Sequence, residues 1–582
     1  MTELQKELET QKKQYNSLYE EDHRKMNENK NLRQQIKDLK KENSSLKKNV
    51  KRLQSKSFMK STITDKLNHI FTKKQIHKIL NPHKKKIKWN IEDISLGIGA
   101  KSISTKAYRF WLSKNYPLPG VSTLRNCSSQ MNLKEGILKD VLHLMSIKGQ
   151  SMSLTDKLAV LTFDEIYVSQ KVEIDRKLEQ VVGPHRTAQI GMVRGLFSKW
   201  KQPIFYKFDQ KITVDILNKI LSELWDIGYI VVAVTTDLGG NNPDAFKKLN
   251  IGVDENQNCF FNHPKNKDHK VFVFADVPHL IKLFRNHFLD NGYIVDNKYI
   301  NKKVIEELIA LNRRTELKVS FKVSEEHIDV SGPKRQNVSL ATKLISKTTA
   351  RSILWAGKNG LLTYEDWQKA SEVIELMNDW FDIFNSKLKF GYTSGQEPYG
   401  KKLSDQNKIL DEVTSLIKKM KIGNHNKLIP FQRGIIMNNK SLKLLLPYLQ
   451  KTIASEPFKI QYLLTNRLNQ DCLENLFSYL RAMGLTNDHP TALNLRYLLK
   501  WYILGKHSEL ILSKKNAKNT ESDETDLLVD FNNKNDPLMK YNEDPLEDED
   551  HLLQLDDENR FASSQLFNEN SNVFTKGKTF GT

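Results

Sequence analysis

Three short segments carry residue types that could do phosphoryl chemistry: LTFDEIYV around Asp164, VVAVTTDLGGNN around Asp237, and RLNQDCLENLFSYLR around Glu474. The first two are apolar, β-branched runs that close on an acid, the pattern of a buried strand delivering a carboxylate at its tip. The third has helical periodicity, with Leu468, Leu473, Phe477 and Leu480 apolar and Glu474 projecting beside them. Two strand-end aspartates and a helix-borne glutamate are the oxygen donors of a two-metal phosphoryl-transfer site. Hard ligands of this kind hold two Mg²⁺ ions, which activate one oxygen nucleophile and stabilise the leaving one. A strand-end Asp is also a common turn residue or helix cap, so the three acids argue together rather than singly.

The elements that must position these acids follow from the pattern around them. KLAVLTFDEIYVSQKVEID reads as a first strand, a turn and a further strand, and HRTAQIGMVRGLF and QPIFYKFD as the second and third antiparallel strands. VDILNKILSELWDIG is an amphipathic helix with Ile216, Leu217, Ile220, Leu221 and Leu224 along one face. YIVVAVTTD is a fourth, fully apolar strand, and Gly239-Gly240 allow a tight turn after Asp237. KVFVFADVPHLIKLFRNHF supplies a fifth strand, Asp276, and a helix bearing Lys282 and Arg285. A three-strand meander, a helix and two more strands make an α/β core of RNase H-like type, a mixed five-stranded sheet with helices. A Rossmann domain would alternate strand and helix and carry a Gly-rich phosphate loop, which is missing. Asp276 and His279 are candidates for metal or DNA contact, but Asp276 before Val-Pro-His is equally well explained as a cap of the following helix, so neither enters the triad.

The wording around the acids resembles the P-element family of DNA transposases. The matching phrases are FDE at 163–165, TTDLGGNN at 235–242, FADVPHLIKLFRNHF at 274–288 and NQDCLENLFSYLR at 469–481, within a likeness running from about residue 60 to about residue 510. The resemblance implies a DDE acid triad of Asp164, Asp237 and Glu474 in an RNase H-like domain interrupted by a GTP-binding insertion. The chain contains no GxxxxGK[ST] loop and no NKxD motif, so GTP rests on the resemblance alone. By the same likeness Lys322, Val338 and Ser346 contact the nucleotide, and Asp382 and Asp471 are the acids near its metal. Their chemistry suits the task, since lysine meets phosphate as a point charge and Asp binds Mg²⁺. The family also begins with a THAP zinc finger, yet no cysteine precedes Cys127 here. The expectation is a chain lacking the finger: a truncated copy, an incomplete gene model or a domesticated derivative.

Residues 1–57 hold no Pro or Gly, and Leu32, Leu39, Leu46 and Leu53 recur every seven residues with Asn29, Ile36, Asn43 and Val50 between them. This is the d and a pattern of a parallel coiled-coil dimer, with Asn at an a position pairing across the seam. KKQIHKILNPHKKKIKW at 73–89 suits phosphate contacts or nuclear import, or is a solvated charge run. YRFWLSKNYPLPGVSTLRN reads as a helix-turn-helix, with Ser122-Thr123 capping the helix that carries Arg125. A plain three-helix packing unit is the alternative.

The 582 residues and 38% hydrophobic content suit a multidomain protein, with no run of membrane-spanning length. Cys127, Cys259 and Cys472 are scattered singly, which points to a reducing compartment. Residues 521–582 carry sixteen acids and five bases, so the +22 of the whole chain conceals +33 on residues 1–520. That charge points to a polyanion partner, DNA, both transposon ends and target. The expected organisation is a zipper at 1–57, a basic helix-turn-helix-like region at 58–150, the catalytic domain at 151–290 and 466–512, a helical insertion at 291–465, and an acidic disordered tail at 513–582. The expected function is a nuclear, Mg-dependent DNA transposase that dimerises or assembles further, binds no membrane, and uses GTP without hydrolysing it. The competing reading is a domesticated, non-catalytic DNA-binding regulator or repressor.

Overall fold

The computed structural model describes residues 3–84, 86–128, 131, 133–176, 179–237, 242–314, 318–425, 427–452, 460–483 and 489–517. Residues 1–515 form one compact unit and residues 516–582 a second. The acidic segment beyond Ala517 and the Gly239-Gly240 turn lie outside the described residues.

Helix α1 spans Glu3–Leu67, ten residues beyond the expected zipper, because the first helix breaker in the chain is Pro82. Its heptad residues Leu32, Ile36, Leu39, Leu46, Val50 and Leu53 are all exposed. The heptad seam is therefore not covered by the rest of this chain among the described residues.

The next region is helical, and two of its helices, α2 (Thr105–Ser113) and α3 (Val121–Ser128), flank the expected proline turn. Tyr108 is buried and donates its hydroxyl to the Pro119 carbonyl at 2.7 Å, which fixes the turn. Arg125 stands exposed on α3. The expected Ser122-Thr123 cap is wrong by two residues. Helix α3 already starts at Val121, and the Leu124 amide bonds back to Gly120, so Gly120 holds the capping position.

The sheet has seven strands: β1 Gly136–Ile137, β2 Leu158–Tyr167, β3 Thr187–Gly195, β4 Lys201–Phe208, β5 Ile230–Thr236, β6 Phe260–Asn262 and β7 Lys270–Ala275. Their order is β1-β4-β3-β2-β5-β7-β6. Strands β2, β3 and β4 form the antiparallel meander, and β2, β5 and β7 run parallel. The five central strands are those expected from sequence. The two edge strands are only two and three residues long, too short for any periodicity to announce them. Strand β5 is buried on both faces, which is why its sequence is an unbroken apolar run. Helix α4 (Val214–Asp226) is capped by Thr213 and buries Leu217, Ile220, Leu221 and Leu224.

Helix α5 (Val277–Asp290) follows β7 directly. The long helical interval then contains α6 (Val338–Leu344), α7 (Lys347–Lys358), α8 (Trp367–Phe384), α9 (Leu403–Lys419) and α10 (Pro430–Thr452). These are not remote from the sheet: α10 packs on β7. Buried Asn438 of α10 accepts from the Ala275 amide at 2.7 Å and donates to the Ala275 carbonyl at 2.8 Å, completing the edge of β7 as a strand would. Its neighbour Asn439 joins Trp380 of α8, at 2.8 Å, to the Leu410 carbonyl of α9, at 3.1 Å. Helices α11 (Asp471–Met483) and α12 (Ala492–Ala517) return the chain to the sheet.

A peptide of residues 1–60 is expected to sediment as a dimer at high micromolar concentration. A monomeric mass there would remove the zipper reading.

Candidate active site

Strand register brings the acids together. Phe163 of β2 pairs with Thr236 of β5, and Thr236 pairs with Ala275 of β7. Asp164, Asp237 and Asp276 each follow that row by one residue. The three aspartates therefore stand abreast where the parallel pairing ends, each about 4.8 Å from the next strand. Asp237 and Asp276 lie just past the tips of β5 and β7, whereas Asp164, expected at a strand tip, sits three residues inside β2, which runs on to Tyr167 against β3. Two of them were expected in one site from sequence; the third was assigned to a cap.

The cap reading of Asp276 is right and incomplete. Its Oδ2 accepts the His279 amide at 2.9 Å, closing the first turn of α5. Its Oδ1 accepts the Gln470 amide at 2.9 Å, from the residue just before α11. The same carboxylate thus starts one helix and docks another.

Glu474 is delivered by that docking. Its helix begins at Asp471, so Leu468, expected within the helix, lies instead in a single 3₁₀ turn at Thr465–Leu468. That turn is held across the strand ends. Thr235 of β5 donates its hydroxyl to the Leu468 carbonyl at 2.8 Å, and the Gln470 side-chain amide donates to the Phe163 carbonyl. Cys472 lies 3.6 Å from the Thr162 hydroxyl, and Leu473, Leu476, Phe477 and Leu480 are buried. With that face fixed, Glu474 is exposed on the other side of the first turn.

Charge crowding shows in the titration of these groups. Burial first, and then the charges of Asp237 and Glu474, push the Asp164 carboxyl up to about 7, against a backbone amide and Lys282. Asp276 is pushed up to about 8, by its complete burial and then by Glu474. Glu474 is raised as well: the protein crowded around its carboxyl outweighs the pull of Lys282, although the residue as a whole is exposed. Lys282 itself is 8% exposed and lies on α5, the helix that Asp276 caps. His279 is pushed down to about 4 by burial and then by Lys282, so it is neutral at pH 7. Among the described residues no three acid, His or Cys side chains converge into a preformed metal cage. The acids share an electrostatic neighbourhood rather than a closed coordination sphere. The donor chemistry nonetheless fits a hard divalent cation, since the donors are carboxylate oxygens whose mutual repulsion a cation relieves.

The residues expected at a nucleotide are distributed unevenly. Ser346 is buried and caps α7, accepting the Thr349 amide at 3.2 Å. The next residue, Lys347, donates its amide to Asn378 Oδ1 at 3.2 Å, and Asn378 donates to Asp382 Oδ2 at 3.2 Å. Asn378 thereby joins Lys347, the residue after Ser346, to Asp382, whose carboxyl is pushed up to about 6 by burial and by Asp379. Val338 is the first residue of α6, and Lys322 stands exposed with its ammonium 5.8 Å from the Phe321 ring centroid. Asp471 belongs to the acid row: it bonds Asn469 at 2.8 Å and raises both Glu474 and Asp276.

Sequence reasoning passed over Lys282, Asn378 and Asn438. Asn378 stands four residues before Asp382 on one helix face, which is a readable signal. Nothing local marks the other two.

Three protein-family models match this chain. They are the TNP-like RNase H N-terminal domain over residues 133–250, the TNP-like GTP-binding insertion domain over 278–397, and the TNP-like RNase H C-terminal domain over 466–497. The chain is 40% identical over 476 residues to the Transposable element P transposase of Drosophila melanogaster, covering 81% of this chain and 61% of that protein. It is 26% identical over 400 residues to the DNA transposase THAP9 of Homo sapiens, covering 66% and 43% respectively. The chain thus spans less than two thirds of the length of either relative. The solved Drosophila P element transposase strand transfer complex superposes with a TM-score of 0.72 at 39% identity, over 78% of this chain and 99% of that one.

Two outcomes follow from the acid row. The folded pKa of Asp164 lies above the carboxylate's unfolded value of about 4, so stability falls as pH rises through that interval. Asp164→Asn should therefore raise the unfolding temperature by ~2–4 °C at pH 8 in divalent-free buffer, with the gap narrowing at pH 5. Scanning fluorimetry reads this, and an unchanged midpoint at pH 8 refutes the crowding. Asp276→Ala leaves two buried amides without an acceptor and should cost about 2–4 kcal/mol in denaturant unfolding.

Proposed function

The chain belongs to the P-element transposase family, and from that premise we propose that it is a DNA transposase whose chemistry is done by Asp164, Asp237 and Glu474. The observation that carries the reading is the alignment of Asp164 and Asp237 side by side where two adjacent parallel strands cease to pair, with the Glu474 helix docked across them. Glu474 is 237 residues beyond Asp237 in the chain, and packing with no role in chemistry does not need those acids held together at the cost of raised pKa values.

Asp164, Asp237 and Glu474 would hold two divalent cations, Mg²⁺ in the cell, through carboxylate oxygens. Bound there, the metal ions would supply Lewis acidity at the attacking and leaving oxygens of a phosphodiester. The chain's own residues set the conditions for this. Asp164 must be deprotonated to serve as a ligand, so metal affinity rises with pH through about 7. Lys282, nearly buried beside Asp164 and Glu474, balances their charge and lies where a scissile phosphate would approach. His279, neutral at pH 7, adds no second protein charge to that of Lys282.

DNA is the proposed partner, as transposon ends and as target, in keeping with the +22 net charge. The proposed sequence is cleavage at the end, then strand transfer by the freed 3′-hydroxyl at the same acids. Lys322, Val338, Ser346, Asp382 and Asp471 are proposed to contact GTP, which would supply triphosphate charge and a guanine edge for positioning DNA without being hydrolysed. The Lys347–Asn378–Asp382 linkage supports a site between α7 and α8. The proposal extends to the α1 zipper as a parallel dimerisation element, to higher assembly on DNA, and to the nucleus as the place of work. No helix among the described residues is long and apolar enough to cross a membrane.

The test is strand transfer by purified protein with Mg²⁺, GTP and pre-cleaved end DNA carrying a 3′-hydroxyl. Joined product is expected from the natural chain and none from Asp237→Ala, which should keep its DNA affinity. DNA binding without joining, in both Mg²⁺ and Mn²⁺, would replace this reading with that of a DNA-binding regulator.

A further inference from the structure

The connection between α8 and α9 ends in an unusual surface. Phe390 is 78% exposed and Tyr392 fully so, at 102%, beside exposed Leu388. Lysines surround them: between residues 386 and 403 the chain carries Lys387, Lys389, Lys401 and Lys402 against one acid, Glu397. The Lys401 ammonium lies 4.3 Å from the Phe390 ring centroid and 5.5 Å from that of Tyr462. It also donates to the Lys389 carbonyl, tying the cation to the aromatic tip.

The tip is exposed but its roots are fixed. Ser386 donates its amide to the Thr465 hydroxyl at 3.2 Å, and its carbonyl accepts the Asn466 amide at 3.3 Å. At the other end Tyr399 and Leu463 exchange backbone bonds of 3.0 and 2.8 Å. Gln406 spans the return, donating to the carbonyls of Ser394, Glu397 and Pro398. Both roots therefore rest on residues 463–466, which lead into the Thr465–Leu468 turn just before the helix that carries Glu474. On its inner side Gln396 reaches Asp382 at 3.5 Å.

We propose that the 387–392 tip, with Lys401, is a stacking platform for an unpaired DNA strand leaving the acid row. The inference rests on the transposase reading and adds to it the binding of one strand rather than a duplex. Exposed aromatic faces among lysines suit nucleic acid, whose bases supply π-faces and whose phosphates supply charge. A duplex offers only phosphates here, because its base faces are already stacked on each other. A protein partner would not call for four lysines to one acid around the aromatic pair. Anchoring on residues 463–466 gives the platform a fixed offset from Glu474, so a strand stacked on it is held in register with the acids.

The test compares the natural full-length chain with Phe390→Ala/Tyr392→Ala, both with GTP and Mg²⁺. Fluorescence anisotropy follows two labelled probes, a blunt duplex and the same duplex with a single-stranded extension. The double variant should lose about tenfold or more in affinity for the extended probe. Its affinity for the blunt duplex should be unchanged, and Phe390→Trp/Tyr392→Trp should restore the extended probe. Equal affinity of natural chain and variant for the extended probe overturns the platform while leaving the transposase reading standing. An equal loss on both probes overturns strand selectivity and therefore the platform. Failure of the natural chain to bind either probe removes the transposase reading and the platform with it.

Discussion

The candidate site depends on one buried carboxylate. Asp276 takes two backbone amides, one from the first turn of α5 and one from Gln470, and it has no contact with solvent through which to trade either away. A buried acceptor with two fixed donors sets the distance between β7, α5 and α11 more tightly than apolar packing alone, since an orphaned amide in that interior costs about 1–3 kcal/mol. The Thr235 and Gln470 side-chain bonds repeat the constraint on β5 and β2. Glu474 is held over the strand ends because these residues leave its helix nowhere else to start.

The same helix α5 carries the influence of the acid row outward. Lys282 sits near the acids, and one turn later fully buried Arg285 donates to the Arg335 carbonyl at 2.9 Å. Arg335 returns to α5 through Asp290, with one contact of 3.1 Å. Residues 334–335 lead directly to Asn337, which caps α6 at Val338. One rigid helix therefore touches both the acid row and the start of the proposed nucleotide contacts. The seat of the long insertion is equally polar: Asn438 and Asn439 of α10 bind strand, tryptophan and helix ends through buried hydrogen bonds. Buried amides of this kind permit a single register, which an apolar interface would not enforce.

This arrangement stores like charge. Asp164, Asp276 and Glu474 all have raised pKa values, which Lys282 opposes at Asp164 and Glu474 and backbone amides oppose at Asp164 and Asp276. Buried carboxylates left in mutual repulsion within one cleft are a common mark of a site that meets a cation or a phosphate.

The chain by itself determined the local facts: which runs are the central strands, that Asp237 closes one of them and Asp164 lies on another, and which helix carries Glu474. These follow from periodicity and terminal residue type, properties of neighbours in sequence. It also set the seven-residue leucine repeat of α1 and the cap at Asp276. Only the tertiary structure decided that Phe163, Thr236 and Ala275 share one row, and so that three aspartates rather than two stand abreast. It alone gave the Asp276 cap a second partner 194 residues away, buried Lys282 beside the acids, and rooted the Phe390–Tyr392 tip at Thr465. The physical reason is common to all of these. A side chain's chemistry is written at its own position, but its partners and its solvation come from segments that meet only when the sheet and the insertion have packed.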